Sequence, residues 1–104
     1  MNNPLITSAV AKLGAEGCKR ALRAYEEGQG NGWIDCPLAF VYGEAGALFA
    51  EARLRGVAPR VLLIKRLGLT QEEVDAVAAA YDWDSEDVED PAQLGRELRE
   101  RAYA

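Results

Sequence analysis

Small and apolar residues near the start of this chain recur at the spacing of a helix. They lie three or four residues apart between Ser8 and about Glu27, at Val10, Leu13, Gly17, Ala21 and Tyr25. This spacing places them on one face of an amphipathic α-helix, with Thr7 or Ser8 as its N-cap. The chain has 18 alanines against 12 Val, Ile and Thr residues, a balance that favours helices over sheets. We therefore predict an all-α fold, a compact bundle of four to five helices in which residues 1–104 form a single domain.

A second helix is predicted from Asp35 to about Arg55. Pro37 would lie in its first turn, where a missing N–H is harmless, and Gly56 would end it. Its side chains are apolar around most of the circumference, so we expect this helix to be central and buried. The glycines inside the first two helices predict close crossings with other helices, and they are Gly14, Gly17, Gly43 and Gly46.

Local start and stop signals predict the remaining helices. A short third helix is expected from Pro59 to Leu67, with Gly68 as its stop. Thr70 and Glu73 have the spacing of a capping box, which opens the next helix. The string Asp90-Pro91-Ala92-Gln93 opens the last one, with Leu94, Leu98 and Ala102 on its inner face.

The residues that the chain lacks exclude several kinds of chemistry. It has no histidine, so neither a Ser-His nor a Cys-His catalytic pair can form. Two cysteines do not make a disulfide framework. The first residues lack the pattern of a signal peptide, and the unbroken apolar runs, residues 61–64 among them, are all too short to span a membrane. We expect a cytoplasmic protein with no cofactor.

Cys36 is the strongest candidate for a nucleophile. It lies in residues 33–42, WIDCPLAFVY, which resemble the nucleophile helix of NlpC-type cell-wall peptidases. That family places an Asp-Cys pair before an apolar helix containing Val-Tyr, and the resemblance implies a reactive Cys36. However, the family's Ser-Gly is replaced by Pro37 and Leu38, and no histidine can act as the base. We therefore predict a non-enzymatic protein and interpret Cys36 as a packing residue.

An acidic segment near the C-terminal end raises the question of calcium binding. Asp82, Asp84 and Glu86 alternate like the first ligands of an EF-hand loop. Asp87 stands where that loop needs glycine, and Gln93 where it needs a bidentate glutamate. We interpret the segment as a solvated acidic stretch and predict no metal site, although binding of a divalent cation remains open.

The modest net charge of -5 conceals two oppositely charged blocks. Residues 53–66 carry five basic side chains and no acidic one, whereas residues 67–90 carry nine acidic side chains and no basic one. Such blocks can pair within the molecule or steer it towards a charged partner. The predicted interaction residues are these charged side chains and one loop aromatic: Trp33, Arg53, Arg55, Arg60, Lys65, Arg66, Asp82, Asp84, Glu86, Asp87, Glu89 and Asp90.

The leading functional hypothesis is a small acidic protein that binds another protein, as an adaptor, an inhibitor or a regulatory subunit. The expected partner has a basic surface, and a homo-oligomer remains open. Residues 69–74, LTQEEV, resemble the second-helix opening of many helix-turn-helix repressors, which implies DNA binding as the alternative. The acidic residues that follow would repel phosphates, so nucleic acid is the less favoured partner and no membrane is expected.

Overall fold

A computed structural model describes residues 2–27, 37–44, 46–81 and 89–103. Within these ranges the chain forms α-helices and no strand, which confirms the predicted all-α class. Six helices are present in this part of the chain, one more than the largest number predicted. In order they are α1 (Pro4–Glu27), α2 (Pro37–Tyr42), α3 (Ala47–Arg55), α4 (Pro59–Leu67), α5 (Gln71–Tyr81) and α6 (Glu89–Ala102).

The first helix begins earlier than the sequence predicts. The side-chain Oδ1 of Asn3 accepts a hydrogen bond from the backbone N–H of Leu5 at 3.0 Å, so Asn3 is the N-cap and Pro4 opens the helix. The predicted N-cap at Thr7 or Ser8 is therefore wrong. Proline is well suited to the first helical position because its fixed φ angle already matches the helix.

Glycines in the first two predicted helices have two different roles, a close approach between helices and a left-handed backbone conformation. At Gly17 the prediction of a close crossing holds, since an added Cβ would lie 3.4 Å from Cγ1 of Val41 in α2. Gly14 has no atom within 4 Å of such a Cβ, but its φ of 72° kinks α1. Gly46 has a φ of 84° and precedes α3. These last two glycines allow a left-handed backbone turn that other residues rarely adopt.

The predicted helix from Asp35 to Arg55 is not continuous. It is divided into α2, which ends at Tyr42, and α3, which begins at Ala47. A single central apolar second helix is therefore not confirmed. The central position belongs to α1, which packs against α2, α5 and α6, while α3 contacts α2 and α4. Because α3 has few helical neighbours, one side of it faces solvent.

Buried residues from all six helices form one hydrophobic cluster. The predicted inner face of the last helix is confirmed, since Leu94, Leu98 and Ala102 are all buried. The predicted third helix has the observed bounds of α4, and Gly68 ends it in a left-handed conformation. The core thus holds the α1–α6 pair together and supports α4 and α5 beside it.

Two polar contacts fasten α6 to α1. The buried Gln93 side chain donates to the Asn3 carbonyl at 2.9 Å and accepts from the Asn3 N–H at 2.7 Å, which ties the start of α1 to α6. Near the other end of α1, the Tyr25 hydroxyl donates to the Pro91 carbonyl at 2.8 Å. The Tyr25 ring lies directly over Gly95, where an added Cβ would come within 2.8 Å of it.

Candidate interaction surface

Five of the predicted interaction residues lie outside the described residues. They are Trp33, Asp82, Asp84, Glu86 and Asp87, and their part in binding remains a prediction. Cys36, the candidate nucleophile, also lies outside the described ranges. The structure does describe the whole basic block on α3 and α4 and the two acidic residues that begin α6, Glu89 and Asp90.

Three of the five basic residues form ion pairs within the molecule. Arg55 donates to Glu51 at 2.6 Å, one helical turn away on α3. Arg66 on α4 lies 3.9 Å from the same carboxylate, and its guanidinium lies over the Tyr42 ring, 5.5 Å from the centroid. Arg60 pairs with Asp75 at 2.9 Å and links α4 to α5. Each pair is partly exposed, so each adds little stability, but the carboxylate offsets the positive charge of its arginine.

Arg53 and Lys65 are the remaining cations of this block. Both are exposed, and neither has a hydrogen-bond or ion-pair partner among the residues that the structure describes. The sequence predicts a basic block but not which of its charges are satisfied internally. The fold determines which charges are paired, because it places Glu51 and Asp75 beside the other three cations.

The solvent side of α3 is apolar beside Arg53. Leu48 and Ala52 face the core, whereas Ala50 and Leu54 face outwards, and Leu54 is 84% exposed. Val57, just after the helix, is 38% exposed. Leu54 was not predicted from the sequence, because the whole predicted second helix was expected to be buried. The sequence does indicate in part that Leu54 is exposed, since Leu54 lies six residues after Leu48 and therefore on another face of the helix.

A groove of about 400 Å³ runs beside this apolar surface, between α3 and the start of α4. Arg53 is the one charged side chain among its described lining residues, and the others are apolar: Phe49, Ala50, Ala52, Val57 and Pro59. We call the groove, together with the adjacent Leu54, the α3 groove surface.

The acidic block does not form one continuous face in the part of the chain described. Glu73 is buried between α5 and α1, Asp75 pairs with Arg60, and Asp90 accepts a hydrogen bond from the Asn3 side chain at 3.1 Å. Glu72 and Glu89 are exposed. Several of these carboxylates therefore stabilise the fold itself, which reduces the number that remain for steering a partner.

Glu73 is the most strongly perturbed ionisable group described. The predicted capping box is confirmed: Glu73 Oε1 accepts from the Thr70 N–H at 2.8 Å, and Thr70 Oγ1 accepts from the Glu73 N–H at 3.1 Å. The same carboxylate also accepts from Lys12 Nζ at 2.7 Å and from the Ser8 hydroxyl. Sequence patterns find the Thr70 contacts, but the donors from α1 become visible only in the fold.

The pKa of Glu73 indicates what this cluster can do. Burial by itself would raise the pKa, but the hydrogen bonds from Lys12, Ser8 and Thr70 outweigh it and lower the pKa from 4.5 to about 2. A carboxylate with so low a pKa is a weak general base near neutral pH, so it does not activate the Ser8 hydroxyl. The arrangement is suited to joining α1 and α5.

Cys18 is buried under the kink of α1. Its thiol donates to the Val10 carbonyl at 3.5 Å. Burial raises the pKa of the thiol, and the positive charge of Arg101 opposes only part of that effect. A thiol that resists ionisation and is shielded from solvent is a packing residue, since reactivity depends on the thiolate.

The described residues contain neither a metal centre nor a membrane-spanning helix, and the chain has no match among known proteins. Among the described residues, no group of three or more Asp, Glu or Cys side chains could hold a metal ion. None of the described helices combines the length and the apolar character needed to cross a membrane. No protein-family model, curated protein or solved structure matches this chain.

Proposed function

We propose that this chain is a non-enzymatic cytoplasmic protein that binds another protein, as an adaptor, an inhibitor or a regulatory subunit. One observation carries the proposal: the outward side of α3 exposes Leu54 beside an apolar groove, with Arg53 next to it and unengaged by any described residue. Apolar surface surrounded by polar groups is typical of protein interfaces, where aromatic, aliphatic and arginine side chains supply the anchors.

The charge blocks give the proposed complex its orientation. Residues 67–90 would attract a basic surface on the partner, and residues 53–66 would attract an acidic one. Attraction of this kind chiefly raises the association rate and selects the mutual orientation, while the apolar contact slows dissociation. We therefore expect a partner that carries charge of both signs.

Affinity capture from the native host tests the proposal. Leu54→Asp alters the α3 groove surface at a side chain that is 84% exposed, so the variant should fold normally. Tyr103→Asp is the matched control, because Tyr103 is 76% exposed and follows α6. Proteins captured by the wild type and the control, but lost from Leu54→Asp, would support the proposal. Identical captured sets in all three would contradict it.

The acidic segment needs a separate variant. Reversing the charges at Glu86, Asp87 and Glu89 should slow capture of the same partner, and added salt should reduce the difference from the wild type. If the charge-reversed chain captures its partner as fast as the wild type does at low salt, the steering proposal is wrong. Equal loss of all partners at high salt would instead indicate that binding is purely electrostatic.

DNA binding is the alternative function. The supporting observation is that only residues 68–70 separate α4 from α5 and that the capping box opens α5 as in the repressors it resembles. Against it, the segment Gln71–Tyr81 contains no basic side chain. Binding of random duplex DNA at low salt, weakening as salt is added, would favour this alternative. Absence of binding at low salt would remove it.

A further inference from the structure

We propose that the α3 groove surface binds an acidic amphipathic segment of the partner protein. An aliphatic or aromatic side chain of that segment would lie in the groove, and a neighbouring carboxylate would pair with Arg53. This inference rests on the proposed function and specifies the chemistry of the partner at one surface.

The lining of the groove selects the apolar part of the segment. Phe49, Val57 and Pro59 give it hydrophobic walls, and Leu54 extends the apolar surface along the exposed side of α3. A groove of about 400 Å³ can hold one or two large side chains. Burying such side chains removes apolar area from water on both molecules, which is the main source of affinity at small interfaces.

The charge of the groove selects the acidic part. No described lining residue is acidic, and Arg53 supplies the positive charge. A guanidinium group can hold a carboxylate through two parallel hydrogen bonds, so Arg53 favours aspartate or glutamate over a neutral residue. The nearest acid in sequence, Glu51, is two positions away on α3 and is held by Arg55 and Arg66. It therefore does not neutralise Arg53.

The wider surroundings are also positive. The five basic side chains of residues 53–66 outnumber the two carboxylates that pair with three of them, Glu51 and Asp75, and Lys65 is exposed without a partner among the described residues. This field would draw in an acidic segment and repel a basic one. A nucleic acid would need a row of cations along its phosphates, whereas the groove itself offers one cation within apolar walls. The observations thus favour an acidic peptide segment.

A peptide-display selection on the immobilised full chain tests the inference. The library would present random peptides of about 15 residues, long enough for one amphipathic helix to form on binding. We expect the selected peptides to be enriched in Asp and Glu together with Leu and Phe. Synthetic copies would then be titrated against the wild type by fluorescence anisotropy.

Variants of the chain show where the selected peptides bind. Arg53→Glu should weaken binding at least about tenfold, because it replaces attraction by repulsion at a partly desolvated contact. Leu54→Asp should weaken it by a similar factor. Lys19→Glu is the matched control: it makes the same change of charge on α1, at an exposed lysine, and should leave the affinity unchanged. Replacing the peptide acids by amides should weaken binding to the wild type but not to Arg53→Glu.

Several results would overturn the inference. These are the absence of any selected peptide, selection of neutral or basic peptides, or equal binding by the wild type and Arg53→Glu. Self-association of the chain that Leu54→Asp abolishes would assign this surface to a second copy instead. If the host partner depends on Leu54 but its contacting segment is not acidic, the proposed function stands and this inference fails. If acidic peptides bind but no host protein depends on Leu54, the groove has the inferred binding chemistry, but the proposed function fails and with it the assignment of the segment to a partner protein.

Discussion

Replacing Glu73 by glutamine should destabilise the protein in a pH-dependent way. The carboxylate is 3% exposed and accepts hydrogen bonds from Lys12 and Ser8 on α1 as well as from Thr70 at the start of α5. Glutamine keeps the size and one acceptor of this side chain but loses its negative charge. The ion pair between α1 and α5 is then lost, and the Lys12 ammonium group loses its counter-charge.

The pKa of Glu73 gives the size of the effect. A pKa lowered from 4.5 to about 2 means that the folded state favours the ionised form. At about 1.4 kcal/mol for each tenfold change in the ionisation constant, the ionised form stabilises the fold by about 3 kcal/mol. Lys12 is 39% exposed, so solvent screens part of this attraction. We therefore expect Glu73→Gln to lower the free energy of unfolding by about 2 kcal/mol at pH 7.

The pH dependence distinguishes this mechanism from a general packing defect. The pKa is lower in the folded state than the ordinary value of 4.5, so the stabilisation is complete above pH 4.5 and is lost as the pH falls towards about 2. Urea denaturation followed by circular dichroism should show the gap between wild type and Glu73→Gln narrowing over that window. Glu72→Gln is the control, since Glu72 is exposed on the same helix, and it should cost less than about 1 kcal/mol. A gap that stays constant from pH 7 to pH 3 would refute the reasoning.

Three further predictions test the interior. Gly95→Ala should lower the free energy of unfolding by about 1–3 kcal/mol, because the added Cβ would lie 2.8 Å from the Tyr25 ring. In a Tyr25→Ala background the same substitution should cost much less, whereas additive losses in the double variant would contradict the contact. Gln93→Leu should lower the free energy of unfolding by about 2 kcal/mol, because it removes the hydrogen bonds between Gln93 and Asn3. It should also speed amide hydrogen exchange at the start of α1, and unchanged exchange there would show that these bonds do not hold the start of the helix in place. In a Cys36→Ser background, Cys18 should react with a thiol reagent only after unfolding, because the thiol is buried and burial raises its pKa. Rapid reaction of the native protein would contradict the buried position of Cys18.

Helix boundaries set by local chemistry could be predicted from the sequence. Proline at the first position of α4, glycine after its last, and the capping box at Thr70 and Glu73 are all found where they were expected. Each signal depends on backbone groups within a few residues of the side chain that satisfies them, so no tertiary information is needed. The start of α1 was missed because Thr7 and Ser8 are also good N-cap residues and lie closer to the apolar stripe.

The break between α2 and α3 could not be predicted by periodicity. Apolar residues flank it on both sides, with Tyr42 before and Ala47 after, and the interruption includes Gly46, whose φ is 84°. Glycine occurs both at close helix crossings and at left-handed turns, and the sequence does not distinguish the two. The prediction assigned Gly46 to a crossing, as is true of Gly17, and therefore joined two helices into one. Because the two helices were predicted as one buried helix, Leu54 was expected to be buried, and the exposed side of α3 was not predicted.

Glu73 illustrates why the candidate surface was harder to predict than the fold. Its contacts with Thr70 are three residues away, and the sequence pattern identified them, but its contacts with Lys12 and Ser8 span 61 and 65 residues. The same holds for the basic block, since whether an arginine is engaged depends on which acid the fold brings beside it. Arg60 meets Asp75 from the next helix, whereas Arg53, on the outward side of α3, meets no described acid. Composition gives the number of charges available to a partner only as an upper limit, and the tertiary contacts decide which of them are left.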